Sequence, residues 1–411
     1  MKKYRWLLTV MLLSLLLLNG CGGSGGGGQA AATPANSGEP TSAASEEKTA
    51  TPTPAKEDAT TEEKVAPTSE SAASGLDKEL SVYNWADYIE QAVLDDYTKQ
   101  YGVKIVYDTY ASNEDLLAKL QAGATGYDVI IPSDYMVGQM IELGLLAQID
   151  PSNIPNLKNI DPFFLNLYYD PGNKHCVPYL WGTSGIAYSK KFFGDKFPDS
   201  WAYIFDPKLA EQWSKAGGIN VLNDQRELIG DALKYLGYSL NDTNEEHLQQ
   251  AKEVILKVKP FIKTFNSEDY DESLLVTHEV IISQAWSGDA AQAASKTVDE
   301  ATGESDWAYV VPKEGAFIFQ DNVCIPASSQ RQATAQHFLN YMLEAKVAAA
   351  NTNYVYYPNP NKTAEALINP DILSDPSIYP PKEVQDKLEW GKPLGEAVFL
   401  YDQIWTEIKS Q

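Results

Sequence analysis

Short apolar runs alternate along the chain with segments whose apolar residues recur every three or four positions. The runs at residues 80–83, 103–107 and 127–131 predict strands, because they are rich in β-branched and aromatic side chains. The segments at 88–101 and 136–145 predict helices, since their apolar residues fall on one face. Strands that alternate with helices predict an α/β fold with a mostly parallel sheet.

The later part of the chain repeats this alternation. Strands are predicted at 218–222, 280–282 and 308–311, and helices at 227–236, 248–258, 333–347 and 395–408. Residues 112–115 have the pattern of a helix N-cap with an acid at the third helical position. We expect two α/β lobes joined by crossing strands, with a ligand site in the cleft between them.

The first twenty residues are predicted to be a signal peptide rather than part of the fold. A basic start precedes an apolar run at 6–18 of about 13 residues, which is too short to span a bilayer comfortably. The run ends in Leu18-Asn19-Gly20-Cys21, which resembles the lipobox of bacterial lipoproteins. That resemblance implies cleavage before Cys21 and a lipid anchor on it. The alternative is a plain signal peptide with an incidental cysteine.

A polar segment separates this start from the part predicted to fold. Residues 21–76 are rich in Gly, Ser, Thr, Pro, Ala and Glu, and they cannot bury enough apolar surface to offset the entropy of ordering. We therefore predict a disordered tether between a membrane anchor and a folded part. The remaining ~335 residues are enough for two lobes with hydrophobic cores.

The net charge narrows the possible partners, and the cysteines allow a disulfide. The formal net charge is −24, which argues against nucleic acid as a partner and favours cations at the surface. Beyond Cys21, the chain contains Cys176 and Cys324. In an exported protein these form either a disulfide or two buried free thiols, and their spacing does not decide between them.

No pattern typical of an enzyme or a resident metal stands out. None of His175, His247, His278 and His337 has a zinc-type spacing, and neither a nucleophile elbow nor a glycine-rich phosphate loop is present. We predict no catalysis, no cofactor and no metal site.

Acids and aromatic rings instead follow the predicted strands. Trp85 and Tyr88 follow the first strand, and Ser133 and Tyr135 follow the strand at 127–131. Two further pairs follow later strands: Asp224 with Glu227, and Trp286 with Asp289. Asp224 and Glu227 also suit a helix start, where acids complement the helix dipole, so local sequence leaves capping and ligand binding both open.

Rings and carboxylates together predict a pocket for a greasy, multivalent cation. Ring faces attract cations and pack against methylene groups, while carboxylates bind ammonium groups through charge-assisted hydrogen bonds. A linear ligand with alternating methylene runs and ammonium groups satisfies both, and that describes a polyamine.

Eight short motifs, in this order along the chain, resemble the spermidine/putrescine-binding proteins of bacterial ABC transporters, the polyamine branch of the extracellular solute-binding proteins. They are YNWADYI at 83–89, YDVIIPSDYMV at 127–137, VPYLWGTSGIAY at 177–188, NDQRE at 223–227, FNSEDY at 265–270, AWSGDA at 285–290, VPKEGAFIFQDNVCIP at 311–326 and YPNPN at 357–361. The resemblance covers most of residues 79–411.

The resemblance implies a role for each candidate residue. Trp85, Tyr88 and Trp286 correspond to aromatic walls, Ser133 and Tyr135 to hydroxyl contacts, Asp224, Glu227 and Asp289 to acids that hold amines, Phe319 and Asp321 to an aromatic and an acid on a late strand, and Asn353 or Tyr356 to a polar contact at the far end. Phe319 stands where some members have tyrosine, so a hydroxyl contact is lost there. The role of Asp87 is not fixed. The segment at 177–188 is predicted to cross between lobes.

The family also implies the fold and the mechanism. Its members have a two-lobed periplasmic-binding-protein-like fold of type II, and we expect lobe 1 at 77–184 plus 286–328 and lobe 2 at 185–285 plus 329–411. Ligand that bridges both lobes would stabilise a closed state, which would deliver it to a membrane permease. We expect a monomer, exported and lipid-anchored at the cell membrane.

Other functions remain open on the sequence. Ferric-ion-binding relatives use neighbouring tyrosines, and this chain has the pairs 168–169 and 356–357. A sugar binder would also use rings and acids. An anchored hydrolase could use Asp224 or Glu227 with Asp289, and a polyamine sensor would share the same pocket.

Overall fold

The computed structural model describes residues 75–123, 126–194 and 196–410. The predicted signal peptide, Cys21 and nearly all of the predicted tether lie outside these residues. Within the described part, every helix is too short or too polar to cross a membrane.

Strands and helices alternate through the described residues, which confirms the predicted α/β class. The strands are β1 (Glu79–Trp85), β2 (Lys104–Tyr110), β3 (Val129–Ile130), β4 (Cys176–Ser189), β5 (Ile219–Val221), β6 (Thr264–Phe265), β7 (Ile282–Trp286), β8 (Trp307–Val310), β9 (Phe317–Cys324) and β10 (Glu389–Trp390).

The α-helices fill most of the intervals between these strands. They are α1 (Gln91–Tyr101), α2 (Asn113–Gln121), α3 (Asp134–Glu142), α4 (Lys190–Phe193), α5 (Ala202–Phe205), α6 (Pro207–Ala216), α7 (Gln225–Tyr235), α8 (Glu245–Val258), α9 (Ser287–Lys296), α10 (Gln332–Met342), α11 (Ala345–Val355), α12 (Pro370–Ser374), α13 (Lys382–Gln385) and α14 (Val398–Ser410).

Two of these boundaries have clear local causes. Helix α2 begins where predicted, because the Ser112 hydroxyl accepts a hydrogen bond from the Asp115 amide. The single helix predicted at 333–347 is wrong, since α10 ends at Met342 and α11 begins at Ala345. Glu344 interrupts them with extended backbone, φ −69° and ψ 138°.

The sheet has parallel pairs on both flanks and antiparallel pairs at its centre. Its strand order is β2-β1-β3-β9-β4-β7-β5-β6, with β10 beside β9 and β8 beside β4. Strands β1, β2 and β3 are parallel to one another, as are β7, β5 and β6. Strand β4 is antiparallel to its three neighbours, so the sheet is less parallel than predicted.

Strand β4 joins the two flanks. Residues 176–183 pair with β9, whereas residues 184–189 pair with β7 and β8. The segment at 177–188 therefore connects two groups of strands, as the sequence predicted.

Separate hydrophobic clusters pack on the two groups. One contains Leu80 of β1, Val93 of α1 and Phe338 of α10, while another contains Ile219 of β5 and Ile404 of α14. Helices α10 and α11 therefore pack with β1, because their apolar faces meet that cluster. This differs from the predicted lobe boundaries, which placed 329–411 with β5; the exact boundaries stay a prediction.

A disulfide joins β4 to β9. Cys176 and Cys324 lie opposite each other in the antiparallel pair, with Cα atoms 4.4 Å apart. Both are buried beside Ile130 of β3. Of the two states that the sequence left open, the structure contains the bridge.

Candidate functional site

A cavity of about 790 Å3, counting the space open to solvent, lies where several strands and helix starts meet. Ten of the twelve residues predicted to bind ligand line it: Trp85, Tyr88, Ser133, Tyr135, Asp224, Glu227, Trp286, Asp289, Phe319 and Asp321. Their location agrees with a binding role, which stays a prediction.

Two tryptophans at the ends of strands β1 and β7 meet edge to face. Trp85 is the last residue of β1, and its indole N–H donates to the Ile131 carbonyl at 3.0 Å. Trp286 is the last residue of β7, and its indole N–H donates to Glu227 at 3.0 Å. The ring centroids lie 5.8 Å apart at an interplanar angle of 70°. Each ring is therefore fixed through its polar edge.

Asp321 is held by two hydroxyl groups. Ser133 donates to its Oδ1 at 2.6 Å, and Tyr88 donates to its Oδ2 at 2.7 Å. Ser133 lies next to Asp321 because Ser133, just after β3, forms an isolated antiparallel bridge with Asp321 of β9. Asn113 of α2 in turn donates to Ser133 and to the Tyr135 hydroxyl, at 3.0 and 3.1 Å.

The acids at the start of α7 have different partners. Asp224 is the N-cap, and its Oδ1 accepts from the amides of Arg226 and Glu227. Glu227 instead accepts from the Ser184 hydroxyl at 2.6 Å and from the indole of Trp286. Asp224 thus caps the helix while it also lines the cavity, so the two roles that the sequence left open are compatible.

Asp289 lies in the first turn of α9. Its Oδ1 accepts from the Tyr357 hydroxyl at 2.7 Å. The Tyr357 ring also meets that of Tyr88 edge to face, with centroids 4.9 Å apart. Tyr357 therefore connects the two acids: its hydroxyl holds Asp289, and its ring contacts Tyr88, which holds Asp321.

Asn353 and Tyr356 do not line this cavity, and their predicted contact with ligand stays a prediction. The Asn353 side chain donates to the Leu367 carbonyl and accepts from the Asn369 amide. Tyr356 ends α11 in the left-handed conformation, with φ 58°. This turn reverses the chain so that the next residue, Tyr357, points into the cavity. The available signal was Tyr357 at the start of the YPNPN motif, next to Tyr356.

Several lining residues were not predicted as ligand contacts. Asp87, Glu268 and Asp271 add carboxyl groups at one side, and Asp134 adds another that is fully buried. Asp87 has a φ of 46°, which directs the chain from β1 toward α1. Acids are common in this sequence, so only their position in the fold distinguishes them.

Positive charge is scarce in the cavity. Eight acids and one arginine, Arg226, occur among the described lining residues. The Arg226 guanidinium lies over the Tyr135 ring, 4.6 Å from its centroid, and donates to Asn241 and to the Lys392 carbonyl. Behind the cavity wall, Lys296 pairs with Glu272 at 2.5 Å and with Asp271 at 3.5 Å.

Burial changes the acidity of these carboxyls. It raises the pKa of Asp289 to about 8, with help from the charge of Asp271 and against the hydrogen bond from Tyr357. It raises the pKa of Glu227 to about 8, with help from Asp224. For Asp321 burial raises the pKa only to about 6, because hydrogen bonds from Ser133 and Tyr88 oppose it. A bound cation would favour the ionised form of each.

The chain matches the family of bacterial extracellular solute-binding proteins over residues 92–380. It is 38% identical over 347 residues to the putrescine-binding periplasmic protein of Pseudomonas aeruginosa, covering 82% of this chain and 94% of that protein. It is 33% identical to the spermidine/putrescine-binding periplasmic protein of Salmonella typhimurium, covering 83% of this chain and 94% of that protein.

Solved structures of the same kind match the fold. The substrate-binding protein of the spermidine/putrescine ABC transporter of Streptococcus pneumoniae, in complex with calcium and HEPES, has a TM-score of 0.65 and 32% identity, covering 81% of this chain and 99% of that one. A lipoprotein of Treponema pallidum has a TM-score of 0.68 and 28% identity, covering 81% and 100%.

The ligand-free protein is expected to lose stability as pH rises from about 4 to about 8. The folded-state pKa values of Asp289 and Glu227 lie above the ~4 of unfolded carboxyls, so the folded state holds protons that the unfolded state has released. The loss should be on the order of a few kcal/mol, seen as a falling urea midpoint between pH 5 and pH 8.

The double variant Asp289→Asn, Glu227→Gln is the control for this prediction, since it removes two of the buried acids that titrate and should make the profile shallower. A midpoint that rises with pH in the unaltered protein would contradict the assignment of these two buried acids.

Proposed function

Because the chain belongs to the family of bacterial extracellular solute-binding proteins, we propose that it captures spermidine or putrescine in the acidic cavity and delivers it to an ABC permease for import. Like its relatives, it is a solute-binding transport protein and not an enzyme. The relatives named for these polyamines match it over more than nine tenths of their own length, which supports the same class of ligand.

The observation that carries the proposal is the surplus of acids beside two tryptophan rings. Eight described acids line the cavity with one arginine. Asp87 and Glu268 are exposed and Asp271 pairs with Lys296, but the other five acids are buried or half-buried, where carboxylates without counterions are unfavourable. A polyamine supplies ammonium groups to Glu227, Asp289 and Asp321, while its methylene runs pack against Trp85 and Trp286. A neutral sugar would leave these carboxylates without counterions.

The tyrosine pairs that raised the alternative of iron binding do not converge on the cavity. Tyr168 donates to the Gly391 carbonyl, and Tyr169 donates to Asn322. Tyr357 lines the cavity but Tyr356 does not. The hydroxyls of Tyr168 and Tyr169 therefore have different partners, and one member of the pair 356–357 does not line the cavity, which favours polyamine over ferric ion.

We propose hinge closure as the mechanism. Strand β4 passes from β9 to β7, and the acids at α7 and α9 belong to different segments from Asp321 on β9. A ligand that contacts all of them favours the state in which they are close, by its difference in contacts between the two states.

Calorimetric titration of residues 22–411 with putrescine, spermidine, cadaverine, ferric citrate and maltose should give one-to-one binding of polyamine alone. Asp289→Asn should weaken that binding by roughly 30-fold or more, because an ammonium loses its buried carboxylate partner. Asp96→Asn, an exposed acid on α1, is the matched control and should bind normally. Unchanged affinity in Asp289→Asn would refute the site, and the absence of binding to every polyamine would refute the ligand class.

Small-angle scattering tests closure separately. The radius of gyration of residues 22–411 should fall when polyamine is added, because the closed state is more compact, and the forward scattering should give the mass of a monomer. A radius that stays constant at saturating polyamine would show that capture does not require closure.

We also propose that lipid on Cys21 anchors the protein, with support from the lipobox-like sequence and from the match to a Treponema pallidum lipoprotein. Cys21→Ser should move the protein from the membrane fraction to the soluble fraction, because the acyl chains supply the membrane affinity. Incorporated radioactive palmitate should disappear in the same variant. Continued membrane association of Cys21→Ser would instead indicate an uncleaved apolar segment.

A further inference from the structure

The ring of Tyr357 occupies a slot that only glycines leave open. A Cβ atom on Gly288 would lie 2.1 Å from Cδ2 and Cε2 of this ring. A Cβ atom on Gly182 would lie 3.0 Å from Cδ1 and Cε1, on the opposite edge, and 2.7 Å from Cζ of Phe319. The two glycines therefore approach the ring from both edges.

The glycines are needed for space and not for backbone freedom. Neither Gly182 nor Gly288 has a positive φ, so the backbone at both positions admits alanine. Gly288 lies in the first turn of α9, where alanine is the better helix former. Helix propensity thus favours alanine, whereas the Tyr357 ring excludes it.

The seated ring controls a carboxylate. The Tyr357 hydroxyl donates to Asp289, the residue directly after Gly288, and its ring meets Tyr88, whose hydroxyl donates to Asp321. Moving the ring away from Gly288 would break the hydrogen bond to Asp289 and would weaken the one between Tyr88 and Asp321. The side chains that face Asp289 are Asp271, Asp87, Tyr270 and Tyr357, so this hydroxyl is one of few groups that favour its ionised form.

We propose that Gly288 is a positioning residue for polyamine binding, which it supports by seating Tyr357 so that the Tyr357 hydroxyl holds Asp289 toward the ligand. The proposal rests on the proposed function. It assigns a positioning role to a residue that contributes no functional group.

A double-mutant cycle in residues 22–411 tests the slot, with putrescine and spermidine as probes. The probe is the polyamine that binds the unaltered protein. Gly288→Ala should weaken its binding by roughly tenfold or more, because the Tyr357 ring is displaced. In the Tyr357→Ala background, which removes the ring, the same substitution should change affinity less than about twofold. Equal losses in both backgrounds, or no loss in the first, would overturn the proposal.

The pH profile separates positioning from general damage. Both Gly288→Ala and Tyr357→Phe remove the hydrogen bond to Asp289, which raises the pKa of that carboxyl. The pH below which affinity is lost should therefore rise by roughly one unit in both variants. Gly217→Ala is the control, since its Cβ atom would clash with Ile281 at 2.4 Å, and neither residue lines the cavity. It should lower stability without moving this profile. A profile that Gly288→Ala leaves in place would reduce the glycine to a packing residue.

The same cycle has a readout without ligand. Gly288→Ala should lower the urea midpoint of the protein with Tyr357 and should leave it unchanged or raised with Tyr357→Ala. If no polyamine binds, the proposed function fails while this cycle still decides the slot. Equal destabilisation in both backgrounds would then overturn it.

Discussion

The constraint on which the site depends is the burial of many carboxyl groups beside very few cations. Eight acids and Arg226 line the described cavity, and Asp134, Asp224 and Asp321 are almost fully buried. Burial disfavours the charged form, so each group is either protonated or surrounded by donors. Asp321 has two hydroxyl donors and Glu227 has a hydroxyl and an indole. These donors carry no positive charge, so a bound cation would further stabilise the ionised carboxyls.

The fold meets this constraint in part by placing acids at the starts of helices. Asp224 and Glu227 start α7, Asp289 starts α9, and amide or hydroxyl donors lie within reach at these positions. The aromatic rings take up the space between the acids, and they are held by their polar edges or by glycines that let them approach. Charge, ring placement and backbone approach therefore depend on one another, and a change in one alters the other two.

Much of this site could be predicted from the sequence, for a physical reason. Residues that follow strands of a parallel sheet meet at one edge, so Trp85, Ser133 and Trp286 could be brought together without coordinates. Asn353 and Tyr356 do not line the cavity. The sequence did not show that Tyr357 rather than Tyr356 faces inward, because the left-handed turn that ends α11 decides this. The need for glycine at 288 was not visible either, since the contact it permits comes from a residue far along the chain.

The bond between Cys176 and Cys324 has a topological consequence. It closes a covalent ring across a sequence separation of 148 residues, and this ring contains Asp224, Glu227, Trp286, Asp289 and Asp321. A protease that cuts once in any loop inside the ring cannot release a fragment while the bond is intact. In a compartment rich in foreign proteases, such a nicked molecule would stay covalently connected. Its two chain segments would keep Trp286 and the four acids of the ring in one molecule.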